Sequence, residues 1–362
     1  MKPKINSLLI GQDSSIKQAM KRMSEVGEKE LFIIDGENKL IGALSDGDIR
    51  RWILKEGSLE EPVNRICNKQ PKIVKEDYKL KEVQELMLNQ KIESVPVVRD
   101  TNEVKDILIW DNVFAGKVRK HKEKLDIPII IMAGGRGTRL HPFTKILPKS
   151  LMPIGEKPII ELIMDKFNEY DVKDFYISIN HKGRMIKFYF EETNKKYNIH
   201  YIEEDKPLGS VGSLRLLENK LKGTFLVTNC DVVIDIDHSE LVKFHIHNQY
   251  DLTMVVSYRH YKIPYGVCEI ENGGSLKNIR EKPEYDLLVN TGMYVMNDSM
   301  LKLIPKNKVY HINDLVEKAK EEGFKIGVFP VNEKSWIDIG AWEEYYKTFK
   351  ELRIGDNHYE MF

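Results

Sequence analysis

The chain has 362 residues, 41% hydrophobic and 31% charged, long enough for two domains with cores of their own and typical of a soluble protein. Lys plus Arg and Asp plus Glu both number 56, so the net charge is zero and the footprint of a general nucleic-acid binder is missing. No apolar run approaches the roughly 20 residues that span a bilayer, no leader-type segment opens the sequence, and Cys67, Cys230 and Cys268 are too few and scattered for a disulfide framework or zinc site; the expectation is a cytoplasmic protein with free thiols and neither a membrane nor a nucleic-acid partner.

In chain order, the first third repeats itself. Ile16, Ala19, Met23, Leu31, Ile33, Ile34 and Leu40 are matched by Leu80, Val83, Met87, Val95, Val97, Val98 and Val104, always 64 residues on. Each half opens with apolar residues at helical spacing, continues as a strand, turns and returns as a second strand, so two α+β units are expected to pack as one module. Their polar residues differ. In the segment from Gly42 to Arg50, Ser45 and Asp48 follow a strand, where a hydroxyl and a carboxylate can hold a ribose and a phosphate. The equivalent positions of the second half carry Asp106, Ile109 and Asn112, and an isoleucine cannot replace a hydroxyl donor. A charged run over 117–124 reads as a solvated linker. The expected boundaries are therefore about 1–60 and 61–120 for the repeats and 126–350 for a second domain.

From Pro128 onward, apolar strands at 129–133, 174–179, 199–203, 224–229 and 252–257 alternate with helical patterns at 159–170, 184–192, 210–218 and 239–250. Such alternation predicts parallel crossover units in an α/β sheet, with ligands beyond the carboxyl ends of the strands. One such end runs Ala133-Gly134-Gly135-Arg136-Gly137-Thr138-Arg139-Leu140. Glycines there let the backbone approach a polyphosphate, while Arg139 and Lys149 supply positive charge. The loop lacks both the Gly-Lys-Ser/Thr ending of a P-loop and dinucleotide-fingerprint spacing. His245 and His247, two apart on a predicted helix, face different ways and cannot share a metal. Trp342, Tyr345, Tyr346 and Phe349 follow helical spacing and read as core or interface.

The residues at 42–50 resemble the cystathionine-β-synthase-type (CBS) domain, whose tandem (Bateman-type) pairs often bind adenine nucleotides. The resemblance covers roughly 5–118 and implies Ser45 and Asp48 as contacts for an adenine nucleotide effector, with a structural dimerisation role as the other reading. From the glycine loop on, Pro148-Lys149-Ser150-Leu151 and Lys157-Pro158 complete a run that looks like the signature of the nucleoside-diphosphate-sugar pyrophosphorylases. Leu208-Gly209-Ser210-Val211-Gly212, Asn229-Cys230-Asp231, Tyr265-Gly266-Val267, Glu281-Lys282-Pro283, Asn290-Thr291-Gly292 and Trp336-Ile337-Asp338 follow in that family's order, over roughly 127–350. This second resemblance implies a Rossmann-like, mixed and mainly parallel sheet. Ala133, Gly134, Gly135, Gly137, Thr138, Glu204, Leu208 and Gly209 would contact the nucleotide; Tyr265, Gly266, Glu281, Lys282, Asn290 and Thr291 the sugar phosphate. Asp231 and Asp338 would bind Mg²⁺.

The implied reaction is attack of a sugar 1-phosphate oxygen on the α-phosphorus of a nucleoside triphosphate, with pyrophosphate leaving. Arg139, Lys149, Asp231 and Asp338 are the expected catalytic set, neutralising charge in an in-line displacement without a covalent nucleophile. At Glu204, thymidylyl- and uridylyl-transferring relatives often have glutamine. A carboxylate only accepts, which matches guanine's N1–H and 2-amino donors, so GTP is favoured, with glucosamine 1-phosphate or mannose 1-phosphate as acceptor. Uridylyl, cytidylyl and thymidylyl transfer remain alternatives, as does a non-catalytic nucleotide sensor. Paired CBS modules imply a homodimer or higher homo-oligomer.

Overall fold

The computed structural model describes residues 5–90, 92–110, 113, 122–193, 197–332 and 335–339. The aromatic set at 342–349, Asn112 and the run at 117–121 lie outside them. By internal contacts the chain divides into Met1–His121 with Pro330–Lys334, and Lys122–Phe329 with Ser335–Phe362.

In the first unit, β1 (Leu9–Gly11), α1 (Ile16–Val26), β2 (Glu30–Ile34), β3 (Leu40–Ser45) and α2 (Asp46–Ile53) precede β4 (Val74–Lys75), α3 (Leu80–Gln90), β5 (Ser94–Val98) and β6 (Val104–Ile109). Each half forms a three-stranded sheet, β1-β2-β3 and β4-β5-β6, its first pair parallel and its second antiparallel. The 64-residue offset holds to the residue: it carries α1 onto α3, β2 onto β5 and β3 onto β6. Even the register irregularity between Ile33 and Ile34 recurs between Val97 and Val98. The repeats also exchange equivalent bonds, Leu40 N–H to the Asn102 carbonyl at 2.9 Å and Val104 N–H to the Asn38 carbonyl at 3.1 Å. Asn38 and Asn102 are both left-handed, at φ 64° and 68°, a conformation asparagine tolerates better than most residues. Each half buries its apolar helix face on its sheet: Ala19, Met23, Leu31 and Ile33 in one, Val83, Met87, Val95 and Val98 in the other. Full burial of such a side chain contributes about 1.5–3 kcal/mol. Equivalence fails at the first helical position, where Ile16 is buried and Leu80 is half exposed.

The second unit is built on a seven-stranded sheet. Its strands are β7 (Ile129–Met132), β10 (Asp174–Ile179), β11 (Asn198–Glu203), β12 (Thr224–Asn229), β14 (Leu252–Lys262), β17 (Glu284–Asn297) and β18 (Ile326–Val331), in the order β11-β10-β7-β12-β17-β14-β18. Short pairs join β8 (Pro153–Ile154) to β9 (Lys157–Pro158), β13 (Val232–Ile234) to β19 (Trp336–Asp338), and β15 (Val267–Ile270) to β16 (Leu276–Arg280). The helices are α4 (Ile159–Asn168), α5 (Gly183–Glu192), α6 (His238–His247) and α7 (Ile312–Glu321).

β11, β10, β7 and β12 run parallel, while β17 is antiparallel to both β12 and β14. The α/β class with a mixed sheet is thus found. Since β10 lies on one side of β7 and β12 on the other, chain order reverses at β7, and such a switch point opens a crevice beyond the strand ends. Ile130, Phe225, Val227, Leu214, Leu217, Tyr294, Met296, Leu301 and Leu315 form the core on one side. Two expectations are corrected. The stretch at 210–218 is a 3₁₀ helix over Gly212–Leu217, because Gly209 is left-handed and the chain around it is tied to Tyr310. The strand expected at 252–257 continues to Lys262, paired along β17 across a bulge. No helix among the described residues is long and apolar enough to cross a membrane.

Candidate active site

The glycine loop leaves β7 at the switch point, and its first residue is pinned there: Ala133 N–H donates to the Ser178 carbonyl on β10 at 2.8 Å. Gly137 is left-handed at φ 63°, and a Cβ on it would lie 2.9 Å from the Lys149 Cβ, so only glycine lets the loop fold over that lysine. Thr144 Oγ1 donates to the Gly137 carbonyl at 2.8 Å and fixes the turn. Below the loop lies a pocket of about 400 Å³. Gly134, Gly135, Gly137, Thr138, Arg139 and Lys149 line it together with Glu204, Leu208, Gly209, Asn229 and Asp231.

Asp231 stands just past the end of β12 and is buried, with its carboxylate paired to the Lys149 ammonium. It does not cap α6; that carboxylate is Asp237, which accepts from Ser239 N–H at 2.9 Å. The backbone of β19 pairs Asp338 with Val232, and Ile339 N–H donates to the Asp231 carbonyl at 2.9 Å. The fold thus brings Asp338 on β19 opposite Val232, the residue that follows Asp231; the Asp338 side chain lies outside the described residues. No cluster of three His, Cys, Asp or Glu occurs among the described residues. Mg²⁺ is usually held by only one or two carboxylates together with substrate phosphates, and the Asp231 carboxylate at the pocket is an oxygen donor of the kind it takes. Beside Asp231, burial pushes the Cys230 thiol up to about 12, leaving it protonated and unreactive.

Glu204, immediately after β11, also lines the pocket. It is buried, and both carboxylate oxygens are held: Oε1 accepts from Ser178 Oγ at 2.6 Å and Oε2 from Leu208 N–H at 3.0 Å. A Cβ on Gly134 would come within 2.7 Å of Oε1, so the bare glycine makes room for the carboxylate. The Leu208-Gly209 loop is stapled in turn. Tyr310 N–H donates to the Leu208 carbonyl, Val211 N–H to the Tyr310 carbonyl, and Ile312 N–H to Ser210 Oγ. Gly209, at φ 85°, passes so close that a Cβ would meet the Tyr310 carbonyl at 2.6 Å.

A family model described as Nucleotidyl transferase matches residues 129–354, more than half of the chain. The chain belongs to the nucleotidyl transferase family. A CBS domain model matches twice, over residues 3–55 and 63–113. The chain is similar to "Mannose-1-phosphate guanyltransferase" of Yarrowia lipolytica, 34% identical over 226 residues, 60% of this chain and 61% of the relative. It is also similar to "Bifunctional protein GlmU" of Methanococcus maripaludis, 32% identical over 59% of this chain and 52% of the relative. "UTP--glucose-1-phosphate uridylyltransferase" of Synechocystis sp. is 26% identical over 61% and 62%. The chain thus spans between half and two thirds of the length of these relatives. Among solved structures, HddC from Yersinia pseudotuberculosis shares the fold, with a TM-score of 0.51 at 22% identity over 63% of this chain and 100% of that one.

Elsewhere in the transferase region, the six residues expected at the sugar phosphate do not line this pocket. Tyr265 is 74% exposed beyond β14. Gly266 faces Glu281, whose Oε2 would lie 3.1 Å from an added Cβ, and Lys282 turns the chain into β17 at φ 45°, its ammonium 3.8 Å from Glu281. Asn290 donates to the Tyr294 hydroxyl at 2.9 Å and accepts from Gly292 N–H. This segment adjoins the pocket through Asn229, whose Nδ2 fills the space where Gly292 lacks a Cβ. Thr291 acts within the fold itself, its buried hydroxyl donating at 2.8 Å to the carbonyl of Val255, at the bulge of β14.

In the first CBS repeat, Ser45 and Asp48 bond each other as a capping box of α2. Ser45 Oγ donates to Asp48 Oδ2 at 2.7 Å, and Asp48 N–H donates to Ser45 Oγ at 3.2 Å. The Ser-x-x-Asp spacing announces such a cap. Arg51 pairs with the other oxygen of Asp48. Glu30 lies close by and accepts from its own repeat equivalent, Ser94; burial, reinforced by the charges of Asp48 and Glu93, pushes its carboxyl up to about 7. His245 is buried between Thr253 and Asn297, and His247 is exposed, as their spacing implies.

Proposed function

We propose that this chain transfers GMP from GTP to a sugar 1-phosphate, glucosamine 1-phosphate or mannose 1-phosphate, and releases pyrophosphate. The observation that carries this reading is one pocket in which the glycine loop, Arg139 and Lys149 face Asp231 and the acceptor-only Glu204. Backbone N–H groups and Arg139 would hold the triphosphate, and Lys149 would offset charge growing on the phosphate oxygens during displacement. One oxygen of the sugar phosphate bonds to the α-phosphorus, the bond to the bridging oxygen of the β-phosphate breaks, and that oxygen leaves on pyrophosphate. Asp231 and Asp338 would hold Mg²⁺, which when bound neutralises the facing phosphates. Glu204 would accept from guanine N1–H and the 2-amino group, whereas a pyrimidine edge would set a carbonyl oxygen against it.

The test is pyrophosphate release with each common nucleoside triphosphate crossed against a panel of sugar 1-phosphates. Turnover with UTP, dTTP or CTP and none with GTP overturns the guanylyl reading. The uridylyl alternative has the Synechocystis relative in its favour, and the same assay decides it. For the CBS pair we propose an adenine nucleotide effector held at Ser45 and Asp48. Calorimetric titration with AMP, ADP and ATP tests this, and absence of both heat and a rate change leaves the pair a structural, self-associating module.

A further inference from the structure

The carboxylate proposed to read the base is held in place by its neighbours. Ser178 lies fully buried near the end of β10, and its backbone and side chain serve different ends. The carbonyl anchors the start of the glycine loop through Ala133, and the hydroxyl reaches Glu204. A second buried hydroxyl, Ser213 Oγ, lies 2.9 Å from Ser178 Oγ. Because a carboxylate only accepts, the Ser178 proton must point to Glu204, and Ser213 must supply its own proton to Ser178. Donor order is thereby fixed along the chain Ser213, Ser178, Glu204. On the far side Leu208 N–H holds Oε2, and Asn180 donates to the Glu204 carbonyl at 2.6 Å, so neither backbone nor carboxylate can turn.

We infer that Ser178, backed by Ser213, is a positioning residue for nucleotide choice: it orients the Glu204 carboxylate so that its remaining lone pairs meet the base. This rests on the proposal that Glu204 reads guanine. Each oxygen keeps acceptor capacity after its one intramolecular bond, and Glu204 lines the pocket, so the serine relay leaves the carboxylate able to bind while removing its freedom to rotate. Pre-ordering of this kind strengthens binding by lowering the conformational cost of the complex. Ser178 reads from sequence as a strand residue and Ser213 as part of a helical pattern; only the fold places them behind Glu204.

The experiment compares Ser178→Ala, Ser213→Ala and Glu204→Gln in the full-length protein, with thermal melts as the folding control. Ser178→Ala is expected to raise the KM for GTP on the order of tenfold and to narrow the GTP-over-UTP ratio of kcat/KM, with the KM for the sugar 1-phosphate unmoved. Ser213→Ala, which also serves should Ser178→Ala fold poorly, is expected to shift the same ratio less. An unchanged GTP-over-UTP ratio in both serine variants, with Glu204→Gln narrowing it, overturns the positioning role alone. An unchanged ratio in Glu204→Gln overturns the base reading itself, and the inference with it. A loss confined to kcat in the serine variants also refutes the inference, since a relay acting on base binding must show in KM.

Discussion

Lys149 and Asp231 offer the sharpest test of how structure and chemistry divide in the pocket. Their side chains are only 12% and 9% exposed, so removing either charge strands the other away from water. Losing one partner of a buried pair costs about 3–5 kcal/mol, and partial exposure places this pair near 3 kcal/mol. Lys149→Met and Asp231→Asn should therefore each destabilise by about 3 kcal/mol, while the double variant, which leaves no unpaired charge, should regain roughly 2 kcal/mol of the summed loss. Activity should behave differently. All three variants should lose on the order of 10²–10³ in kcat, because neither restored stability nor good packing replaces charge on the phosphates. Urea unfolding of the intact chain measures the first effect and pyrophosphate release the second. Strictly additive stability losses would refute the pairing, and an Asp231→Asn protein with undiminished turnover would refute its place in catalysis.

Other expectations follow from single residues. Glu30 has its carboxyl raised from 4.5 to about 7, so the unfolded chain loses its proton first. Stability of the first unit should be full below pH 4.5 and should fall by at most about 3 kcal/mol as pH rises through 7. Hydrogen exchange on peptides within 16–53 and 80–110 should show that slope in the wild type and its loss in Glu30→Gln; identical pH profiles would disprove it. Gly209→Ala forces a Cβ against the Tyr310 carbonyl in a left-handed conformation. It should lower the melting temperature and raise the KM for the nucleotide, and an alanine protein melting like the wild type would contradict the close approach. Thr291→Val should cost about 1 kcal/mol or more by stranding the Val255 carbonyl, with the sugar-phosphate KM nearly unchanged; a raised KM without lost stability would assign the hydroxyl to the sugar instead. Chelation with EDTA should abolish turnover and added Mg²⁺ should restore it; unaltered turnover in EDTA would remove the metal from the scheme.

Where the pattern is local and one-sided, the sequence was legible. The 64-residue offset was visible because Ile16, Met23 and Leu31 and their equivalents alternate with polar residues at the period of the element they occupy. β7, β10 and β12 were readable as short, mainly apolar runs because the middle of a parallel sheet covered on both faces is mostly buried. The antiparallel pair β15 and β16 was not, since Leu276–Arg280 is exposed along its whole length and leaves no alternation. Long-range pairing escaped for another reason: nothing near Lys149 in sequence announces Asp231, and nothing near Glu204 announces Ser213. At Ser45 and Asp48 the same Ser-x-x-Asp spacing serves a helix cap and a ligand contact, so the local signal does not separate the two.

The reciprocal bonds of Asn38 and Asn102 bear on how the first unit comes to be folded. Each repeat completes an edge of its hairpin with a carbonyl that belongs to the other, supplied from 60 or more residues away along the chain. Neither repeat can then complete its hairpin edge before its counterpart has formed the same turn, and both of these contacts close a long loop. The duplication should thus fold and unfold in one cooperative step, with half-folded forms scarcely populated, even though each half possesses a sheet, a helix packed on it and an apolar centre of its own.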